Sequence, residues 1–71
     1  MGDQFSYFIP DLPKDFDLPL GYEIEGIVGN KPDGRRVTFY YWFNDHGYGE
    51  NTRDKRVACR AAWKHYRNST L

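Results

Sequence analysis

Val37-Thr38-Phe39-Tyr40-Tyr41-Trp42-Phe43 decides the fold. Seven consecutive β-branched or aromatic residues with no helix former among them predict a strand. Asn44-Asp45-His46-Gly47 follows and has the composition of a hairpin turn. Tyr48-Gly49-Glu50 then opens a short further strand. Upstream, Asn30-Lys31-Pro32-Asp33-Gly34-Arg35-Arg36 is a turn built on Pro-Asp-Gly. It is preceded by Gly21-Tyr22-Glu23-Ile24-Glu25-Gly26-Ile27-Val28-Gly29, a strand in which Tyr22 and Ile24 point one way and Glu23 and Glu25 the other. Gly26 reads there as a bulge or twist point. The centre of the chain is therefore a three-stranded antiparallel sheet. Within it, Phe39, Tyr41 and Phe43 are expected to share the buried face.

Downstream, Asn51 or Thr52 can cap a helix with Asp54 in its first turn, and the helix runs from about Arg53 to Arg67. Val57, Ala58, Ala61, Ala62, His65 and Tyr66 form its predicted apolar side, the alanines allowing close approach to the sheet. Arg56, Arg60, Lys64 and Arg67 form the opposite stripe, with no acidic partner a turn away on that stripe. Residues 68–71 read as a frayed tail; Asn68-Ser69-Thr70 matches a glycosylation sequon without a secretory context.

Residues 1–20 read as an irregular, proline-rich strap. Pro10, Pro13 and Pro19 prevent a helix, yet Phe8, Ile9, Leu12 and Phe16 are too apolar for a solvated tail and are expected to pack on the domain's own core. The fold class that follows is α+β: a three-stranded antiparallel sheet with one C-terminal helix on it, spanning residues 21–67 behind the strap.

The chain has 71 residues, enough for one domain, and a domain this small needs the dense burial that 18% aromatic residues supply. Cys59 is the single cysteine, which excludes an internal disulfide and points to a reducing compartment, cytoplasm or nucleus. Met1-Gly2-Asp3-Gln4 has neither the basic nor the apolar region of a signal peptide, and no stretch approaches a membrane span. His46, His65 and Cys59 do not make a metal set, no nucleophile–base pair can be argued, and neither cofactor nor enzyme activity is expected.

The net charge is zero but unevenly laid out. Residues 1–30 hold six acidic residues against Lys14, and residues 31–71 hold nine basic residues against four acidic ones. A chain divided in this way can present a basic face to a polyanion. Lys31, Arg35 and Arg36 in the first turn, with Lys55, Arg56, Arg60 and Lys64 on the helix, are the candidate phosphate contacts.

These residues resemble the double-stranded RNA-binding domain. Lys55-Arg56-Val57-Ala58-Cys59-Arg60-Ala61-Ala62 is similar to the start of that family's second helix, and Gly47-Tyr48-Gly49-Glu50 to its third strand. Tyr22 and Gly29 match its first-strand spacing, and Phe39, Tyr41 and Phe43 its second-strand apolar positions. The resemblance implies duplex RNA as partner, with Lys55 and Arg56 on phosphates across the major groove and Lys31, Arg35 and Arg36 near the adjacent minor groove. The family's first helix has no counterpart in residues 1–20.

Leu18-Pro19-Leu20-Gly21-Tyr22, Gly34 and Val37–Tyr41 also resemble the methyl-CpG-binding domain, and the plan of three strands and a helix is shared with integrase arm-binding domains. That resemblance implies DNA contacted through the sheet by Arg35, Arg36, Tyr40 and Trp42. Net neutrality and the apolar N-terminal segment support a third reading, a protein–protein interaction module.

Overall fold

The computed structural model describes residues 4–69; Met1–Asp3 of the strap and Thr70–Leu71 of the tail lie outside them. In chain order the elements are β1 (Gln4–Phe8), β2 (Glu23–Asn30), β3 (Arg36–Asn44), β4 (Gly47–Tyr48) and α1 (Lys55–Ser69). The strands form one antiparallel sheet in the order β1-β2-β3-β4. The α+β class is as the sequence reads, with a fourth strand added at the N-terminal edge. That strand is where the reading of residues 1–20 as irregular fails. The prolines begin at Pro10, so nothing prevents Gln4–Phe8 from pairing with Gly26–Asn30.

A side chain helps to close each of the two hairpin turns. In the β2–β3 connection Lys31 N–H donates to the Arg35 carbonyl at 2.8 Å, and Asp33 Oδ1 accepts from Arg35 N–H at 3.0 Å. Gly34 sits at φ +87°, a conformation that a side chain would strain. In the next turn Asn44 Oδ1 accepts from the N–H groups of His46 and Gly47 at 2.8 and 2.9 Å.

The β2–β3 register pairs Ile24 with Trp42, Gly26 with Tyr40 and Glu25 with Tyr41. Gly26 pairs in register on both sides, so it is not a bulge. Its missing side chain makes room for the Phe8 ring, which a Cβ there would strike. Phe8 in turn meets Tyr40 edge to face, centroids 6.2 Å apart.

The helix starts two residues later than the sequence reading and continues to Ser69, so residues 68 and 69 are helical rather than frayed. Asp54, not Asn51 or Thr52, is the cap: its Oδ1 accepts from Arg56 N–H at 2.8 Å and its carbonyl from Ala58 N–H at 3.2 Å. Thr52 instead bridges to Tyr40 through paired backbone bonds of 2.7 and 2.8 Å, tying the helix approach to β3.

The core consists of Ile24, Trp42, Ala58, Cys59 and Ala62. Ala58 and Ala62 have no exposed surface, which lets α1 lie close on the sheet. The sheet face they cover is the even-numbered one. The expectation that Phe39, Tyr41 and Phe43 bury against the alanines is therefore reversed: Tyr40 and Trp42 do so. The helix is also rotated from its predicted setting. Cys59 is buried, whereas Val57 and Tyr66 stay substantially exposed. His65 is an exposed residue rather than a buried one, its ring tilted over Trp42 at 4.4 Å and its Nδ1 2.6 Å from the Tyr22 hydroxyl.

The strap runs along the helix flank. Leu12, Phe16 and Leu18 pack against the core, as expected of Leu12 and Phe16, and Phe8 is half-buried. Ile9 departs from the expectation, being mostly exposed. Asp17 carbonyl accepts from Trp63 Nε1 at 2.7 Å, fixing the strap near the middle of α1.

Candidate binding surfaces

The helix surface shows what became of the cations. Lys55 is half-buried; its Nζ donates to the Asp11 carbonyl at 2.9 Å and sits 5.8 Å from the Tyr40 ring centre. Arg56 lies over the Phe16 ring at 4.7 Å and 3.9 Å from the Asp15 carboxylate. These two leading phosphate candidates are thus engaged with the strap, whose acidic residues fold back beside them. Arg60 and Lys64 are exposed on the next two turns of the stripe. Arg60 borders a small hollow with Asp15, Asp17 and Trp63.

Lys31, Arg35 and Arg36 are exposed on the β2–β3 connection. Arg35 pairs with Asp33 in the same turn at 3.4 Å. The turn lies beyond the helix N-terminus: Lys55 reaches β3 at Tyr40, and Arg36 is four residues further on, about 13 Å along the strand. The sequence candidates therefore fall into two separate groups. Tyr40 and Trp42, the aromatic pair of the DNA reading, lie on the helix-covered face, with Trp42 only 7% exposed.

The opposite, odd-numbered face carries a second aromatic set that the sequence reading did not single out as a site. Phe5 and Tyr7 from β1, Ile27 from β2, Phe39, Tyr41 and Phe43 from β3, and Tyr48 from β4 share it by register. No described element packs over them. Tyr7 is 63% exposed and Tyr48 78%. The Tyr41 ring lies 6.4 Å from Phe43 and 6.3 Å from Tyr48, the latter edge to face. Tyr7, Tyr41, Tyr48 and Phe43 bound an open groove of about 570 Å³, which Glu25, Asn44 and Asn51 also line.

Among the described residues Glu25 is the one ionisable group other than tyrosine in that lining, and it accepts a hydrogen bond from the Tyr41 hydroxyl. Burial first, and then the bond to Glu25 and its charge, push the Tyr41 phenol up to about 12. The hydroxyl therefore stays protonated and holds the carboxylate in place. At the far end of the face the Arg53 guanidinium stands 5.3 Å over the Phe39 ring.

Elsewhere the described residues hold no cluster of three metal-ligating side chains. Burial raises the Cys59 thiol above its usual range, which keeps it as thiol at neutral pH. No helix among them is long and apolar enough to cross a membrane. Comparison of the chain with protein families, with curated proteins and with solved structures finds no match.

Proposed function

We propose that this chain is a non-enzymatic protein-binding module whose working surface is the uncovered face of its sheet. One observation carries the reading: a domain that needs apolar burial leaves Phe5, Tyr7 and Tyr48 exposed beside half-buried Tyr41 and Phe43, on a face that no described element covers. Aromatic side chains in such a patch give a partner large contact area at little conformational cost, and they dominate protein interfaces. The groove among them suits one extended segment crossing the sheet.

The test is selection from a displayed library of random peptides, run on the wild-type chain and on Tyr7→Ala/Tyr48→Ala. Enriched peptides that bind wild type and not the double variant support the reading. Failure to enrich, or equal binding to both proteins, overturns it.

A second reading, nucleic-acid binding, is favoured by a different observation: Arg60 and Lys64 on the helix and Lys31 and Arg36 on the hairpin are exposed, and none has an ion pair among the described residues. Duplex RNA ahead of duplex DNA is the form that the resemblance of the helix segment implies. Titration of both duplexes at two salt concentrations checks it. Each neutralised phosphate contributes about 0.9 to the slope of log affinity against log salt on a B-form duplex, so Arg60→Ala/Lys64→Ala flattens that slope by roughly two. No binding at low salt removes this reading and leaves the first untouched.

A further inference from the structure

We infer that the groove between Tyr7, Tyr41 and Tyr48, beside Glu25, receives a cationic side chain, lysine or arginine, from a protein segment laid across the sheet; the inference rests on the sheet face being the binding surface.

The molecule's own contacts make the case. Three of its cations already use aromatic rings as seats: Arg53 over Phe39, Lys55 over Tyr40 and Arg56 over Phe16. Each seat is supplied from the chain itself. The groove offers the same chemistry unfilled by its own lining, which contains no lysine, arginine or histidine among the described residues. Its rings are set at steep angles to one another, Tyr41 to Tyr48 at 73° and Tyr41 to Phe43 at 52°. The rings are therefore not stacked flat on one another, and an aromatic face left open to the groove attracts an ammonium or guanidinium group.

Glu25 fixes the sign. It is the third residue of β2 and pairs with Tyr41, and the bond from the phenol orients its carboxylate. A carboxylate has acceptor capacity left after one hydrogen bond, and Asn51 also lines the groove, whereas the Asn44 amide oxygen is already taken up by the His46 and Gly47 N–H groups. An anionic ligand would meet that charge in the groove. A neutral apolar ligand would leave it partly desolvated and unpaired, which costs free energy. A cation satisfies both the rings and the carboxylate. At the other end of the same face, Arg53 on Phe39 shows that this aromatic surface accommodates a guanidinium.

The experiment titrates the isotope-labelled full chain, followed by NMR, with two nonapeptides of alternating arginine and alanine, one carrying citrulline at every arginine. Citrulline keeps the shape of arginine and removes its charge. The expected result is that the arginine peptide shifts the resonances of Tyr7, Glu25, Tyr41 and Tyr48 and binds at least about tenfold tighter than the citrulline peptide. Glu25→Gln and Tyr48→Ala, each checked for an unchanged melting curve, should weaken the arginine peptide about fivefold or more. Equal affinity of the two peptides at the sheet face overturns the cation inference and leaves the sheet-face reading standing. Shifts confined to the acidic strap and helix overturn the inference as well, the sheet-face reading then being decided by the displayed library. A single-stranded oligonucleotide that shifts the same tyrosines more strongly than the arginine peptide overturns both. No shift with either peptide overturns the inference.

Discussion

On the even-numbered side of β3, Tyr40 and Trp42 lie under the helix; on the odd-numbered side, Phe39, Tyr41 and Phe43 have no described element over them. Composition does not explain the difference, since both sides are aromatic. Their neighbours do. The even side meets Gly26 on β2 and alanines on the helix, small residues that let large rings be covered closely. The odd side meets Glu23 and Glu25 on β2, which would lose water under a covering element. The contrast teaches that small and charged neighbours, rather than aromatic content, determine which side of this sheet closes.

If that account of the two faces is right, the largest effect belongs to the closed side. Trp42→Ala removes the largest member of the core and should cost about 3–5 kcal/mol in chemical denaturation, a large part of a small domain's stability. The same truncation on the open side, Tyr48→Ala, should cost less than about 0.5 kcal/mol. Comparable losses at the two positions would break the comparison.

A smaller effect probes the helix contact. Ala62 has no exposed surface, so Ala62→Leu must displace Ile24 or Trp42 and should cost about 1–3 kcal/mol. Val57→Leu, on an exposed part of the same helix, should be near neutral. A neutral Ala62→Leu would mean that α1 stands off the sheet.

The smallest effect is a titration on the open face. Tyr41 is more protonated folded than unfolded, its phenol raised from an ordinary 10.0 to about 12. The stability tied to that difference is fully present below the unfolded value and is lost as pH rises from there through about 12. Glu25→Gln removes the charge but not the burial, so Tyr41 should ionise at lower pH, though still above the ordinary value. The alkaline loss of melting temperature should then be shallower than in wild type. Absorbance of tyrosinate and melting curves on the same samples check both statements. An unchanged titration would mean that Glu25 does not face the phenol.

Much of this architecture is legible in the residues. The run Val37–Phe43, the Pro-Asp-Gly turn and the alanines of the helix give three strands and the packing of a helix on a sheet. The covered face was harder, because a run that is apolar at every position has no alternation to read. The carboxylates held the answer: once the β2–β3 turn closes, Glu25 falls opposite Tyr41, and a charged residue beside Tyr41 marks that side as the open one. The N-terminal strand was hidden because Gln4–Phe8 is short and earns its place only by pairing with β2 and seating Phe8 over Gly26. The candidate groove was hidden for a related reason. Tyr7 and Tyr48 are 41 positions apart in the chain and are brought to one face only by the full strand order. The basic stripe could be read directly, but that Lys55 and Arg56 are taken up by the strap could not, since it depends on where Asp11, Asp15 and Phe16 come to rest.

The measurement that bears most directly on the open face as the working surface is the affinity of Tyr7→Ala/Tyr48→Ala for a library-selected peptide, beside that of Arg60→Ala/Lys64→Ala. The account predicts at least about a tenfold loss in the first variant, a change of less than about twofold in the second, and melting temperatures within about 4 °C of wild type in both. Loss of affinity in the helix variant with the tyrosine variant unaffected would contradict it.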